Sequence, residues 1–229
     1  MSDSHSVRVN GIRLAYRRFG APQSAPVLLL HGLGETSANW DTIASALAVD
    51  RAVYALDLRG HGGSDRTDTY SLEGLRDDVI GFVTLLQLAP VELIGHSMGG
   101  VVGYLVAQEW PNAISKLVLE DVAPPLPANP PRPMPDRPDG PLDFDWAAVE
   151  AFNPERNAPP QRWWDRLTEI TAPTLVLGGG LASFIPQDEL AKLAERIPDA
   201  RFRTIQAGHF IHRDEPAAFL AEVGEFLNG

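Results

Sequence analysis

A chain of 229 residues with 44% apolar and 21% charged side chains is sized for one globular domain with a substantial core, plus a small insertion at most. Its formal charge of −11 excludes the basic footprint that nucleic acids and anionic membranes require, and mildly disfavours an anionic substrate unless a local pocket overrides it. The absence of cysteine removes disulfides, thiol nucleophiles and thiolate metal ligands.

The opening stretch MSDSHSVRVNG lacks a basic segment followed by an apolar run, so no signal peptide is expected. No apolar run nears the ~20 residues of a membrane span. The default expectation is a cytoplasmic monomer or homodimer with no membrane or nucleic-acid partner.

VRVNGIRLAYRRFG alternates apolar and polar residues about Asn10-Gly11, which predicts a two-residue hairpin. APVLLLHG is continuously apolar, as for a strand covered on both faces. TSANWDTIASALAVD reads as a helix and RAVYALDLRG as the next strand. SLEGLRDDVIGFVTLLQL has helical apolar spacing, with Ser71 as its N-cap. VELIGHS predicts a strand, MGGVVGYLVAQEW a helix, and ISKLVLED another strand. After a break follow a strand at PTLVLGG, a helix opened by Pro186, a strand at ARFRTIQAG, and a last helix from about Asp214 to Leu227. This alternation predicts an α/β fold: a mostly parallel sheet, helices on both faces, and the N-terminal hairpin at one edge.

The break at 124–160 holds 12 of the chain's 20 prolines. Proline removes backbone donors and disfavours helix in the residue before it, so this is no buried sheet segment. A disordered linker is the plain alternative. However, Phe144, Trp146, Phe152, Trp163 and Trp164 in its flanks are residues a solvated linker would not keep. The expected division is therefore a core of 1–121 and 171–229, with 122–170 as a short proline-rich lid. No internal repeat is visible.

GHSMGG places Gly95, Ser97 and Gly99 as G-x-S-x-G between a predicted strand and a predicted helix. Such an elbow strains the serine backbone, and the glycines remove side chains that would clash with the tight turn. The bland alternative is an ordinary glycine-rich turn. A serine hydroxyl needs a base within hydrogen-bond reach. Among six histidines, His209 in IQAGHF follows the last predicted strand and would emerge at the same sheet edge as Ser97. His5 lies in the tail, His31 and His61 lie in glycine loops, and His96 points elsewhere in the elbow. A metal pair of His209 and His212 is the alternative, but no third ligand is evident. Oxyanion donors are expected from the N–H groups of Met98, directly after the serine, and Leu33 in His31-Gly32-Leu33-Gly34.

HGLG at 31–34, DLRGHGGSD at 57–65, GHSMGG at 95–100 and AGH at 207–209, in that order, resemble the α/β-hydrolase superfamily. The resemblance covers nearly the whole chain except 124–160. It implies an eight-stranded, mostly parallel sheet, a lid after the sixth strand, and the order nucleophile, acid, histidine. It also implies that Asp57, Arg59, Gly60, His61 and Gly62 shape a loop beside the site. Serine at 97 argues against the related dehalogenases and epoxide hydrolases, which carry aspartate there.

The family's commonest acid lies a few residues beyond the seventh strand, but LVLGGGLASFIP puts Ala182 in that position. Asp188 falls in the next helix, where a carboxylate has an ordinary capping role. A few relatives carry the acid after strand six, where KLVLEDVAPP offers Glu120 and Asp121. Strand side chains alternate, so one of the two reaches His209. Asp121 has a plain loop role in relatives. Glu120 stands where an apolar residue is usual and would need a buried partner. Glu120 is therefore expected to be the acid, with Asp121 the alternative.

The expected activity is a serine carboxylesterase without cofactor or metal, acting on small ester substrates with a compact apolar part. Trp146, Trp163 and Trp164 are the expected substrate contacts. Thioesterase or lactonase action, a cyclase-like tailoring reaction, and a non-enzymatic small-ligand receptor remain open alternatives.

Overall fold

The computed structural model describes residues 3–21 and 24–229; Met1 and Ser2, which open the stretch read for a leader, lie outside them. Strand β1 (Asp3–Val9) turns into β2 (Ile12–Phe19) through Asn10 and Gly11, whose φ angles of 51° and 84° fit a hairpin turn with two left-handed residues. The remaining strands are β3 (Ala25–Leu30), β4 (Arg51–Leu56), β5 (Val91–His96), β6 (Ile114–Glu120), β7 (Thr174–Gly178) and β8 (Ala200–Thr204). They form an eight-stranded sheet in the order β1-β2-β4-β3-β5-β6-β7-β8. Among the described strands β2 alone runs against the rest, because it pairs antiparallel with both β1 and β4. Every other pairing is parallel.

The helices are α1 (Asp41–Leu47), α2 (Leu72–Leu85), α3 (Met98–Glu109), α4 (Trp146–Asn157), α5 (Gln161–Asp165), α6 (Gln187–Arg196), α7 (Ile211–Asp214) and α8 (Pro216–Asn228). Alternate residues of one strand feed opposite cores. Leu28, Leu30 and Leu93 pack with α2, α3 and α6, while Val27, Leu29 and Ile94 pack with α1 and α8. Central strands β4 and β5 are buried at every residue, including Arg51 and Glu92, which pair with each other at 2.8 Å. Ser71 caps α2 by accepting from the Gly74 N–H at 3.0 Å.

The last helix, expected from about Asp214 to Leu227, is α8; it is separated from the short α7 at Glu215 (φ −134°, ψ 60°), because Pro216 disfavours helical backbone in the residue before it. The proline-rich stretch runs irregularly to α4 and is tied to the loop after β4. Gly62 N–H donates to the Asp143 carbonyl and Asp145 N–H to that of Gly60, each at 2.7 Å. Phe152 and Trp163 are buried beneath it and anchor α4 and α5 to the body of the protein. No helix among the described residues is long and apolar enough to cross a membrane.

Candidate active site

Strand β5 ends at His96 and α3 begins at Met98, so Ser97 occupies the bend between them. Its φ of 50° and ψ of −115° lie where non-glycine residues are rarely found. The surroundings force this conformation. A Cβ on Gly95 would lie 2.5 Å from the Gly99 carbonyl oxygen, and one on Gly99 would collide with that of Leu30. The elbow is pinned from the next strand, since Ser97 N–H donates to the Glu120 carbonyl at 2.9 Å.

Ser97 opens into a cavity of about 100 Å³ whose lining includes Leu33, Met98, Phe152, Trp163 and Phe184. Leu33 and Met98, whose N–H groups were expected to face an oxyanion, thus border the same space as the hydroxyl. Phe184 also packs on the His209 ring at a centroid distance of 4.2 Å, joining the serine cavity to the histidine.

His209 Nδ1 lies 2.7 Å from Asp121 Oδ2. Because a carboxylate only accepts, Nδ1 carries the proton and Nε2 is left as the basic nitrogen. Asp121 itself is fully buried and held on both oxygens. Gly179 N–H donates to Oδ1 at 2.9 Å, and the Ser183 hydroxyl donates to Oδ2 at 2.5 Å. The turn after β7 therefore lacks a carboxylate of its own but supplies the donors that orient one from β6.

Glu120 is a correction. Its side chain does not meet His209; both oxygens take the His212 Nδ1–H at 2.9 Å, and Oε1 also accepts the His212 backbone N–H at 2.8 Å. Glu120 and His212 are fully buried, and Trp40 stacks on His212 at 4.1 Å. The physical reason is strand alternation. Glu120 keeps the β6 pleat and points into the α1/α8 side, whereas Asp121 leaves the strand with φ 47° and swings to the sheet edge. Among the described residues no third side chain joins His209 and His212 in a group that could hold a metal ion.

One buried pair had no signal in the sequence motifs. Glu35 Oε2 lies 2.8 Å from His96 Nδ1 and accepts the Gly32 N–H at 2.8 Å, while His96 Nε2 lies 2.9 Å from the His209 carbonyl. Both partners of His96 are acceptors, so both ring nitrogens carry protons and the ring is an imidazolium. Burial opposes that charge, but Glu120 and Glu35 outweigh it and hold the His96 pKa above its usual value. Burial likewise works against the Glu35 charge, yet the bond from His96 and the neighbouring histidines draw its carboxyl down to about 2. This pair fastens the HGLG loop to the loop that carries His209.

His61 is buried and structural. Its Nε2 accepts the Gly34 N–H at 3.2 Å, its ring stacks on Phe144, and burial, followed by the charge of nearby His31, pushes its pKa down to about 3. Asp57 accepts from Ser37 and Gly63, and Arg59 grips buried Asp78 with two bonds of 2.7 Å.

The three expected tryptophan contacts divide. Trp163 lines the Ser97 cavity and donates its indole N–H to Glu73 at 2.8 Å. Trp164 instead lies beneath the Arg196 guanidinium, 5.6 Å from the ring centroid. Trp146 lines a separate, polar cavity with Arg66, Arg137 and Phe144. Asp188 is exposed and paired with Lys192 at 3.0 Å.

A mostly parallel sheet thus carries a strained serine elbow after β5 and a carboxylate-bound histidine in the loop after β8, both at the C-terminal ends of parallel strands. The chain belongs to the alpha/beta hydrolase family, whose model matches residues 27–223. It is 24% identical over 277 residues to the sn-1-specific diacylglycerol lipase ABHD11 of Mus musculus, covering 99% of this chain and 89% of that protein. A putative esterase/lipase of Haemophilus influenzae is 27% identical, with coverage of 90% and 84%. Among solved structures, E-2-(acetamidomethylene)succinate hydrolase superposes with a TM-score of 0.87 over the full length of both chains at 21% identity, which bears on fold alone.

Proposed function

We propose that the protein is a serine hydrolase that cleaves carboxylic esters with a compact acyl part through an acyl-enzyme. The observation that carries this reading is the 2.7 Å bond from His209 Nδ1 to Asp121 beside a serine elbow with φ 50°. In the proposed reaction His209 Nε2 removes the Ser97 proton as Oγ attacks the ester carbonyl. The N–H groups of Leu33 and Met98 stabilise the oxyanion, and Asp121 stabilises the imidazolium that forms. His209 then gives its proton to the leaving alcohol and activates water to release the acid. Segment 122–170 acts as the lid, since Phe152 and Trp163 of that segment contribute to the cavity wall. Esterase and lipase names among the relatives support ester cleavage over a receptor role.

The cavity of about 100 Å³ falls well below the ~300–1,000 Å³ of drug-sized ligand sites, so a short acyl group suits it better than a long one. The direct experiment is mass spectrometry after treatment with a fluorophosphonate. One adduct is expected on Ser97, none after Ser97→Ala, and labelling that survives that substitution refutes the reading. In a p-nitrophenyl ester series, C4 is expected to turn over faster than C12.

A further inference from the structure

The wall of the Ser97 cavity is mostly apolar, but one side of it carries two cations. Arg132, from the proline-rich stretch, and Arg156, from the last turn of α4, both line the cavity that contains Ser97 and Met98. Neither guanidinium has a carboxylate partner among the described residues, in a chain whose acidic residues outnumber its basic ones 30 to 19. Other arginines in the same half of the molecule are paired: Arg59 with Asp78, Arg162 with Glu73, and Arg166 with Glu109 and Glu169.

The placement of Arg132 is built rather than incidental. Its backbone is clamped by a single side chain: Arg132 N–H donates to Asn157 Oδ1 at 2.8 Å, and Asn157 Nδ2 donates to the Arg132 carbonyl at 2.9 Å. Asn157 directly follows Arg156, so this clamp holds the two like charges together. Like charges this close disfavour each other. Burial first, and then the Arg132 charge, lowers the Arg156 pKa. The one carboxylate in the lining, Glu155, accepts the Leu72 N–H at 2.9 Å and forms no ion pair with either arginine. A helix C-terminus favours a cation at Arg156 alone. It gives no reason to bring a second one against it.

We propose that Arg132 and Arg156 form a subsite for a compact anionic group, a carboxylate or phosphate, on the substrate whose ester reaches Ser97. The assignment rests on the serine-hydrolase reading for the word substrate, but the anion site itself does not need catalysis. Guanidinium forks match the planar or tetrahedral oxygens of such groups with paired N–H donors. The remaining apolar wall would take the neutral part of the molecule, and the occupant would relieve the repulsion between the arginines. Such a local site also overrides the unfavourable long-range field of a strongly acidic protein.

The test is calorimetric titration of the Ser97→Ala protein, which binds without turnover, with three probes of one shape: 3-acetoxybenzoate, its methyl ester, and 3-acetoxyphenyl phosphate. At least one anion is expected to bind about 10- to 100-fold more tightly than the methyl ester, the span of charged hydrogen bonds in a partly desolvated site. The two anionic arms distinguish carboxylate from phosphate as the preferred group. In the background of Arg132→Met with Arg156→Met this preference is expected to fall to about 1. Replacing both by Lys should leave an intermediate ratio, because the charge remains and the fork is lost. Each ratio is measured within one protein, and a native circular dichroism spectrum secures the comparison. Equal binding of charged and uncharged probes, or a preference that survives the double Met substitution, overturns the proposal. Failure of the fluorophosphonate adduct would overturn the hydrolase reading without touching these ratios.

Discussion

Two adjacent carboxylates at the end of β6 divide two tasks because one remains in the strand pleat and the other has left it. Asp121, with φ 47°, reaches the edge where His209 waits, and Glu120 stays beneath the sheet against His212. Asp121→Asn is expected to lower kcat by up to ~10⁴-fold, since an amide can favour the wrong tautomer of His209. Glu120→Gln should act mainly on stability, costing about 1–3 kcal/mol for a weakened buried bond, with kcat changed far less. Chevron or denaturant midpoints and initial rates on the two variants separate these outcomes, and a reversal would make Glu120 the acid. Sequence reasoning placed a histidine partner on Glu120, and a histidine is there, but it is the other one. Burial of Glu120 demands a partner but does not choose between His212 and His209, because that choice depends on the left-handed turn at Asp121, which no propensity demands of an aspartate.

The turn after β7 acts as a cradle for an acid it does not contain. Gly179 N–H and the Ser183 hydroxyl fix both oxygens of Asp121, and Ser183 Oγ in turn accepts the Ile185 N–H at 3.0 Å. Ser183→Ala should therefore misorient the carboxylate and lower kcat by about 3- to 10-fold with KM little changed, in line with one lost hydrogen bond of ~1 kcal/mol. A change confined to KM would assign Ser183 to substrate contact instead. Elements such as this are legible when they carry periodicity: the hairpin, the buried strands and the Ser71 cap all follow from local pattern. The start of α8 is also written in the chain, as Pro216, which sets the boundary with α7 at Glu215. The distribution of Trp146, Trp163 and Trp164 over three environments was not legible, since Trp146 is the first residue of α4 and the other two sit in the five-residue α5, positions where a helix shows too little apolar period to fix a facing direction.

Across the whole molecule, buried histidines and carboxylates set a direction for acid sensitivity. His61 remains neutral in the fold down to about pH 3, whereas in the unfolded chain it takes a proton near 6.5. The unfolded state thus binds more protons throughout that window, and stability falls as pH drops from about 6.5 to about 3. Burial lowers the pKa of His31 as well, adding to the same slope. Glu35, ionised in the fold down to about 2 against 4.5 for a free glutamate, contributes stability that is full above 4.5 and is lost as pH falls from there through 2. His96 has the opposite sign, because its raised pKa contributes below 6.5 and is lost as pH rises through the folded value. His96 thus acts only above 6.5, while His61 and His31 act below 6.5 and Glu35 joins them below 4.5, so the Tm is expected to be highest at about 6.5–7 and to decline below that. His61→Gln can keep an acceptor for the Gly34 N–H without titrating. That variant should begin with a lower Tm at pH 8, because the stacking on Phe144 is weakened, yet lose less between pH 6.5 and pH 4 than the parent. Differential scanning fluorimetry of both proteins at half-unit steps reads the two slopes directly, and parallel curves would remove His61 from the account of acid lability.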